Sequence, residues 1–279
     1  MNVKTVDLTA EYSFLQGGSL ECITGSYPFD SGDASAWKRP ALIVVPGGGY
    51  GMVSKREGEP IAQAFFAKGF QVFILTYLVA GDGVRYPEQL LELAAAVDYV
   101  KKNAAEFSVN PDEVFAVGFS AGGHLVGNLC VEHQDVANKA GMPVNCSLTA
   151  AGLAYPVISS IHGHLGSYEN LLQGYTDEAK EELCKTLNLN EAVSEQTPPA
   201  FIWATATDNA VPADNAIRYA LALANKNIDY ELHVYPEGVH GLSTATAEIN
   251  ANYTPSMAQV ARWVDDCAAF FRRYIVEKF

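Results

Sequence analysis

The sequence predicts an α/β fold in which a mostly parallel, twisted sheet is covered by helices on both faces. Two observations predict it: short apolar runs, typical of buried strands, alternate with segments of helical periodicity, and glycine-containing or proline-containing loops often separate them. The chain has 279 residues, of which 49% are hydrophobic and 18% charged. This length and composition suit one large domain with a well-buried core, so we expect a single domain over residues 1–279.

The first half of the chain contains three predicted strands, each followed by a predicted helix. Buried strands are expected at residues 41–45, 70–77 and 114–119. Apolar residues at helical spacing predict helices over residues 59–68 and 87–102, the second with Pro87 in its first turn. A third helix is expected to begin near Ala121, directly after Ser120.

The second half continues the alternation after an interruption. Strands are expected in the run 148–158, which Pro156 breaks, and at residues 200–206 and 230–235. Helices are expected around residues 214–224 and 257–278. Between them, the polar stretch 159–199 contains short helical pieces such as 177–187, and we interpret it as a small helical insertion that forms a cap at one edge of the sheet.

Charge and cysteine content exclude several classes of function. The net charge of −14 would be repelled by a nucleic-acid duplex or an anionic membrane, and we attribute the acidity to solubility alone. The five cysteines are odd in number, widely spread and without a CxxC pair, which favours free or buried thiols over a disulfide framework or a metal site. The N-terminal residues lack the apolar core of a signal peptide, and no apolar run is of membrane-spanning length, so the expected compartment is the cytoplasm.

A serine at the end of the third strand is the candidate nucleophile. Gly118 to Gly122 match the pattern G-x-S-x-G, and Ser120 stands between a buried strand and a glycine-rich helix start. A sharp turn there needs small neighbours and exposes the hydroxyl group at the strand's end. The alternative is that Ser120 only caps the helix.

A serine hydroxyl group needs a base close by, and histidine is the expected one. His240 lies just beyond the last predicted strand, where loops can meet Ser120, whereas His233 lies within that strand. His124 is only four residues along the helix that follows Ser120, so its side chain projects along that helix and a structural hydrogen bond is its expected role.

An acidic residue should orient that base. Asp208 directly follows the strand at 200–206 and can accept the second ring N–H of His240, which fixes the tautomer and stabilises the imidazolium. Asp214 is the alternative, but it stands where the next helix begins and is interpreted as a cap.

Backbone N–H groups are expected to stabilise an oxyanion. Gly47, Gly48 and Gly49 follow the first predicted strand, and adjacent glycines allow N–H groups to point into a cavity. The N–H of Ala121, which follows the nucleophile, is the other expected donor. Tyr50, Tyr77 and Tyr155 are either residues of the site or aromatic core.

These features together resemble the α/β-hydrolase superfamily of esterases, in particular the acetyl-xylan-esterase and feruloyl-esterase-like members of the hormone-sensitive-lipase-like branch. The resemblance rests on PGGGYGMVSKREGEPIAQAFFAKGF, GFSAGGHL, HLGSYENLLQG, TPPAFIWATATDNAVP and YELHVYPEGVHGL, and so covers most of the chain. It implies an α/β-hydrolase fold with an eight-stranded sheet, the triad Ser120, Asp208 and His240, and oxyanion donors at Gly48, Gly49 and Ala121. Pro46 stands where the family often has histidine before the glycines.

The resemblance implies hydrolysis of short-chain acyl esters, among them acetyl groups on sugars or xylo-oligosaccharides, with no metal or organic cofactor. The expected partner is a small-molecule ester; no nucleic acid and no membrane are expected, and a homo-oligomer is left open. Two alternatives remain. A prolyl-oligopeptidase-like peptidase shares the order of the triad but usually carries a large N-terminal propeller, whereas about 40 residues precede the first predicted strand. A catalytically silent binding protein would often lack a triad member.

Overall fold

Eight strands form one sheet in a computed structural model that describes residues 1–32 and 36–276. They are β1 (Asn2–Asp7), β2 (Ser19–Thr24), β3 (Arg39–Val45), β4 (Gln71–Thr76), β5 (Val109–Phe119), β6 (Ala151–Ala154), β7 (Ala200–Thr205) and β8 (Tyr230–Tyr235). Their order across the sheet is β1-β2-β4-β3-β5-β6-β7-β8. β1 pairs antiparallel with β2 and β2 with β4, and every other neighbouring pair is parallel.

The helices of the described residues mostly follow the strands. They are α1 (Glu59–Phe66), α2 (Glu88–Lys102), α3 (Ala104–Phe107), α4 (Ala121–Glu132), α5 (Val136–Ala140), α6 (Leu165–Leu171), α7 (Asp177–Thr186), α8 (Leu189–Ala192), α9 (Asp214–Asn225), α10 (Met257–Val260) and α11 (Trp263–Arg272). Single 3₁₀ turns occupy Leu8–Ala10, Lys55–Glu57 and Ala80–Asp82.

The sheet separates two hydrophobic cores. Along β3, Ala41 and Ile43 belong to one core and Leu42 and Val44 to the other, and all four are fully buried. A strand that is covered on both faces cannot alternate apolar and polar residues, which is why the central strands appear in the sequence as continuous apolar runs.

All six predicted strands are present, and their ends differ from prediction by a few residues. The largest differences are in β5, which already begins at Val109, and in the run 148–158, of which only Ala151–Ala154 forms a strand. Tyr155, which follows β6 and precedes Pro156, has φ 37°, so the chain leaves the extended conformation there. β1 and β2 were not predicted from the sequence; β1 is almost wholly exposed and so lacks the apolar pattern of a core strand.

The predicted final helix 257–278 is wrong as one continuous element. It is divided into α10 and α11 by a turn at Ala261 and Arg262. Both turn residues keep right-handed helical dihedral angles, and the N–H of Arg262 bonds the carbonyl three residues earlier, so the chain tightens there without reversing. Lys278 lies outside the described residues.

The stretch 159–199 contains α6, α7 and α8, three short helices between β6 and β7. The five cysteines are all free, and four of them are buried. Within residues 1–32 and 36–276, no helix is long and apolar enough to cross a membrane.

Candidate active site

Ser120 occupies a sharp turn between β5 and α4. Its backbone dihedral angles are φ 54° and ψ −118°, a region that non-glycine residues rarely adopt. Three hydrogen bonds hold this turn: the Ser120 N–H donates to the carbonyl of Ala154, and the Ser120 carbonyl accepts from the N–H groups of His124 and Val157. The strained turn therefore fixes the serine at the carboxyl end of the parallel strands.

The two glycines around Ser120 allow close contact between α4 and the sheet. A Cβ atom at Gly118 would lie 2.2 Å from the Gly122 carbonyl oxygen. A Cβ atom at Gly122 would lie 2.2 Å from the Val45 oxygen and 2.4 Å from the Pro46 oxygen. No side chain fits at either position, which is the physical reason for both glycines of the G-x-S-x-G pattern.

The structure brings Ser120, His240 and Asp208 together. His240 Nε2 lies 2.8 Å from Ser120 Oγ, and His240 Nδ1 lies 2.6 Å from Asp208 Oδ2. Because the carboxyl group of Asp208 accepts at Nδ1, the proton of neutral His240 resides there and Nε2 is free to accept from the serine hydroxyl group. The N–H groups of Ala210 and Val211 both donate to Asp208 Oδ1 at 2.9 Å, so the orienting side chain is itself fixed.

The glycine loop after β3 lies against the same cavity. Gly48 and Gly49 have φ of 124° and 63°, and both line the cavity with Ser120. In the parts of the chain that the structure describes, no group accepts from the N–H of Gly48, Gly49 or Ala121. All three N–H groups are therefore unbonded, and those of Gly48 and Gly49 belong to residues that line the cavity, whereas the Gly47 N–H is already bound.

Two buried side chains hold the glycine loop from behind. Glu57 Oε2 accepts from the Gly47 N–H at 2.8 Å, and the Tyr77 hydroxyl group donates to the Pro46 carbonyl at 2.8 Å. Glu57 Oε1 accepts from the Tyr155 hydroxyl group at 2.7 Å. The loop is thus fixed at Pro46 and Gly47 without the histidine that the family often has before the glycines.

Tyr155 connects this support to the histidine loop. Its hydroxyl group accepts from the Ser243 N–H at 3.0 Å, and its ring contacts the His240 ring edge to face at 5.1 Å between centroids. Burial raises the pKa of Tyr155 well above its ordinary value, so the hydroxyl group keeps its proton. Tyr50, Tyr77 and Tyr155 are all at most 2% exposed, so they belong to the core behind the site.

His124 is a buried structural histidine. The Tyr50 hydroxyl group lies 2.8 Å from its Nδ1, and the Leu187 carbonyl lies 3.2 Å from its Nε2. Burial lowers the pKa of His124 to about 4, so the ring is neutral near pH 7. His124 therefore connects the glycine loop to the insertion through hydrogen bonds, which is the structural role expected from the sequence.

The other two alternatives lie apart from Ser120. His233 stays within β8 and bonds Glu231 at 2.7 Å. Asp214 is the first residue of α9, but its side chain bonds Arg218 one turn later at 3.0 Å and does not cap the helix. The interpretation of Asp214 as a cap is therefore wrong, because Ala213 occupies the cap position.

The cavity above Ser120 and His240 has a volume of about 530 Å³. Sequence reasoning gave no role to several residues that line it or hold it: Arg56, Glu57, His164 and Asn170. Asn170 Nδ2 donates to the Gly49 carbonyl at 2.9 Å, so the insertion holds the glycine loop from the front. His164 and Asn170 lie in HLGSYENLLQG, one of the stretches that carry the family resemblance. That resemblance is the sequence feature that could have indicated a role for them at the site.

Family models match most of the chain. The BD-FAE family model matches residues 32–223, well over half of the chain. The dienelactone hydrolase family model matches residues 175–275, the part that contains Asp208 and His240.

Two curated relatives share about a third of their aligned residues with this chain. Endo-1,4-beta-xylanase B of Butyrivibrio fibrisolvens is 34% identical over 81% of this chain and 36% of its own length. Acetylxylan esterase of Xylanibacter ruminicola is 32% identical over 74% of this chain and 42% of its own length. The chain therefore spans less than half the length of either relative.

A solved structure covers nearly the whole fold. The acetyl ester-xyloside bifunctional hydrolase of Caldicellulosiruptor lactoaceticus is 28% identical, with a TM-score of 0.79 over 97% of this chain and 96% of that chain. This likeness confirms the hydrolase fold that the sequence predicts.

Proposed function

Because this chain belongs to the BD-FAE family of α/β-hydrolase esterases, we propose that it hydrolyses short-chain carboxylic esters through an acyl-enzyme intermediate. One observation carries the proposal: hydrogen bonds of 2.8 Å and 2.6 Å join Ser120 to His240 and His240 to Asp208. A serine acting in this way needs an oriented base beside it, and this chain supplies one.

In the proposed reaction, Ser120 Oγ attacks the ester carbonyl while its proton passes to His240 Nε2. The N–H groups of Gly48, Gly49 and Ala121 stabilise the oxyanion. The alcohol leaves with the proton from His240, and a water molecule then repeats both steps to release the acid. Asp208 stabilises the imidazolium while the proton resides on His240.

Acetylated sugars or xylo-oligosaccharides are the substrates that we propose within this class. Support comes from the acetylxylan esterase and the acetyl ester-xyloside hydrolase that this chain resembles. The cavity wall adds polar groups from His164, Asn170 and Arg56, which can bond the hydroxyl groups of a sugar.

The test of the mechanism is Ser120→Ala. Loss of the nucleophile should lower kcat/KM for 4-nitrophenyl acetate by at least about a thousandfold. Ser256→Ala, at an exposed serine before α10, is the matched control and should keep the wild-type rate. An undiminished rate in purified, folded Ser120→Ala would refute the proposal.

A substrate panel separates the alternatives. Acetylated xylo-oligosaccharides should be turned over with a higher kcat/KM than aryl esters of long acyl chains. Preferential cleavage of aminoacyl amides would instead indicate a peptidase. Failure of Ser120 to react with a fluorophosphonate, together with no turnover of any ester, would indicate a binding protein.

A further inference from the structure

Arg56 presents an oriented guanidinium group beside the catalytic histidine. Its side chain is exposed, yet Nη2 donates to Asn250 Oδ1 at 2.8 Å. Asn250 is 7% exposed, and its Nδ2 donates to the carbonyls of Leu242 and Thr246 at 3.1 and 3.0 Å. A buried amide that is itself anchored to two backbone groups therefore fixes the direction of an exposed cation.

The main chain of this residue is also held. The Ser243 hydroxyl group donates to the Arg56 carbonyl at 2.5 Å, which connects the residue to the loop that carries His240. An arginine whose backbone and side chain are both fixed loses less conformational entropy when it binds a ligand.

Arg56 lies where two cavities meet. One is the cavity of about 530 Å³ that contains Ser120 and the glycine loop. The other, of about 340 Å³, is lined by Val239, Asn252 and the 249–251 segment. Arg56 and His240 line both cavities, so a substrate bound at His240 occupies a cavity that Arg56 also lines.

The charge of Arg56 has no partner in the described chain. Within residues 1–32 and 36–276, no carboxylate forms an ion pair with it. The adjacent Glu57 turns away and bonds Gly47 and Tyr155. In a chain of net charge −14, an unpaired and oriented arginine on the wall of the cavity that contains Ser120 is a specific feature of this site.

We propose that Arg56 binds a carboxylate carried by the substrate, so that the enzyme prefers esters with an acidic group on the acyl chain or on the alcohol. The planar guanidinium group can donate two parallel hydrogen bonds to a carboxylate, which a neutral substrate cannot accept in the same way. The inference rests on the proposed esterase function and narrows its substrate class.

Binding is measured first, without turnover, in the Ser120→Ala background. Calorimetry compares 4-acetoxybenzoate with its methyl ester, in which a neutral methoxycarbonyl group replaces the carboxylate. Adding Arg56→Gln should weaken binding of the anion about tenfold, as expected for loss of a charge-assisted hydrogen bond, and should change binding of the methyl ester much less. Adding Lys55→Gln removes the same charge from an exposed neighbour outside both cavities and should have less than about a twofold effect.

Hydrolysis then locates the acidic group. The alcohol side is tested with 4-acetoxybenzoate against its methyl ester, and the acyl side with phenyl hydrogen adipate against phenyl methyl adipate. In Arg56→Gln, the ratio of kcat/KM for the anion to kcat/KM for the ester should fall about tenfold in at least one pair, and the affected pair identifies the side.

Equal effects of Arg56→Gln and Lys55→Gln would overturn the proposal, because they would show only a general effect of net charge. Unchanged binding of the anion in Ser120→Ala/Arg56→Gln would overturn it as well. If Arg56→Gln does not fold, wild-type inhibition is decisive: 4-hydroxybenzoate should inhibit several-fold more strongly than its methyl ester, and equal inhibition refutes the site. Anion binding without turnover of any ester by the wild type would refute the esterase function and leave the carboxylate site standing.

Discussion

Glu57 is a buried acidic residue whose two carboxyl oxygens bind different parts of the candidate site. One oxygen holds the Gly47 N–H of the glycine loop, and the other holds the hydroxyl group of Tyr155, whose ring packs on His240. We interpret Glu57 as a positioning residue, since it reaches the proposed oxyanion donors and the proposed base only through Gly47 and Tyr155. Small displacements of such groups cost large factors in rate.

Glu57→Gln should therefore lower kcat for an aryl acetate by between about tenfold and a hundredfold, with little change in KM. The amide keeps the shape of the side chain but can accept from only one of its two donors, so either the loop or Tyr155 is released. Steady-state kinetics together with the thermal midpoint of unfolding measure the effect.

Glu59→Gln is the matched control, because Glu59 is exposed on α1 and, within the described part of the chain, its side chain bonds Gln63 alone. It should leave both kcat and the thermal midpoint at wild-type values. A Glu57→Gln variant that loses stability but keeps kcat would show that the residue is structural and does not position the site.

The residues that sequence reasoning placed at the site are those whose position follows from the topology alone. Ser120 comes directly after β5, Asp208 and His240 lie in the loops that follow β7 and β8, and parallel strands end at one edge of the sheet. Glu57 follows no strand. The direction of its side chain depends on contacts with Tyr155, which is 98 positions away in the sequence, and with Gly47, which is 10 positions away. Contacts of that kind are determined by tertiary packing, so the local sequence pattern around Glu57 does not predict them.

At the scale of elements, the contact between α4 and β3 sets the position of Ser120. The helix can begin directly behind the serine only because Gly122 lets its backbone approach the end of β3. Ala121 is the first residue of α4, so a shift of the helix would displace both the proposed nucleophile and a proposed oxyanion donor.

Gly122→Ala should destabilise the protein by at least about 2 kcal/mol and abolish most esterase activity. The added methyl group would lie 2.2 Å from the Val45 oxygen, and neither backbone can move away without disrupting the sheet. Urea unfolding and ester turnover measure the two effects.

Gly127→Ala, on the same helix, is the control. Its methyl group would meet Leu189 Cδ1 at 2.9 Å, the end of a flexible side chain, so a much smaller loss of stability and activity is expected. Equal losses in the two variants would contradict this explanation.

Elements were predictable where burial determined their pattern. The strands β3, β4, β5 and β7 are covered on both faces and appear as apolar runs. The edge strand β1 is exposed along nearly all its length, so no apolar run identified it. The turn between α10 and α11 keeps helical dihedral angles, so the helical periodicity continued across it and predicted one helix.

For the whole molecule, two buried ionisable groups make stability depend on pH in opposite directions. Burial lowers the pKa of His124 to about 4, so the imidazole ring binds a proton more readily in the unfolded protein than in the folded one. That contribution to stability is present above the ordinary histidine pKa of about 6.5 and is lost as the pH falls to about 4. Glu92 acts in the other direction, because burial raises its pKa to about 8.

Glu92→Gln should stabilise the protein increasingly as the pH rises. Glu92 is a fully buried residue of α2; the N–H of Leu78, which follows β4, donates to Oε2 at 2.9 Å, and Oε1 has no partner among the described residues.

Since the folded pKa lies above the unfolded one, the wild type folds with uptake of a proton, and its free energy of unfolding falls between about pH 4.5 and about pH 8. The neutral amide removes this dependence. The difference in unfolding free energy between Glu92→Gln and wild type should grow by up to about 1.4 kcal/mol per pH unit over that window and level off above it. Urea titrations from pH 5 to pH 9 measure it, with Glu169→Gln, the same charge change at an exposed residue, as the control. A difference that stays constant with pH would contradict the prediction, because it would show that the pKa of Glu92 is the same in the folded and the unfolded protein.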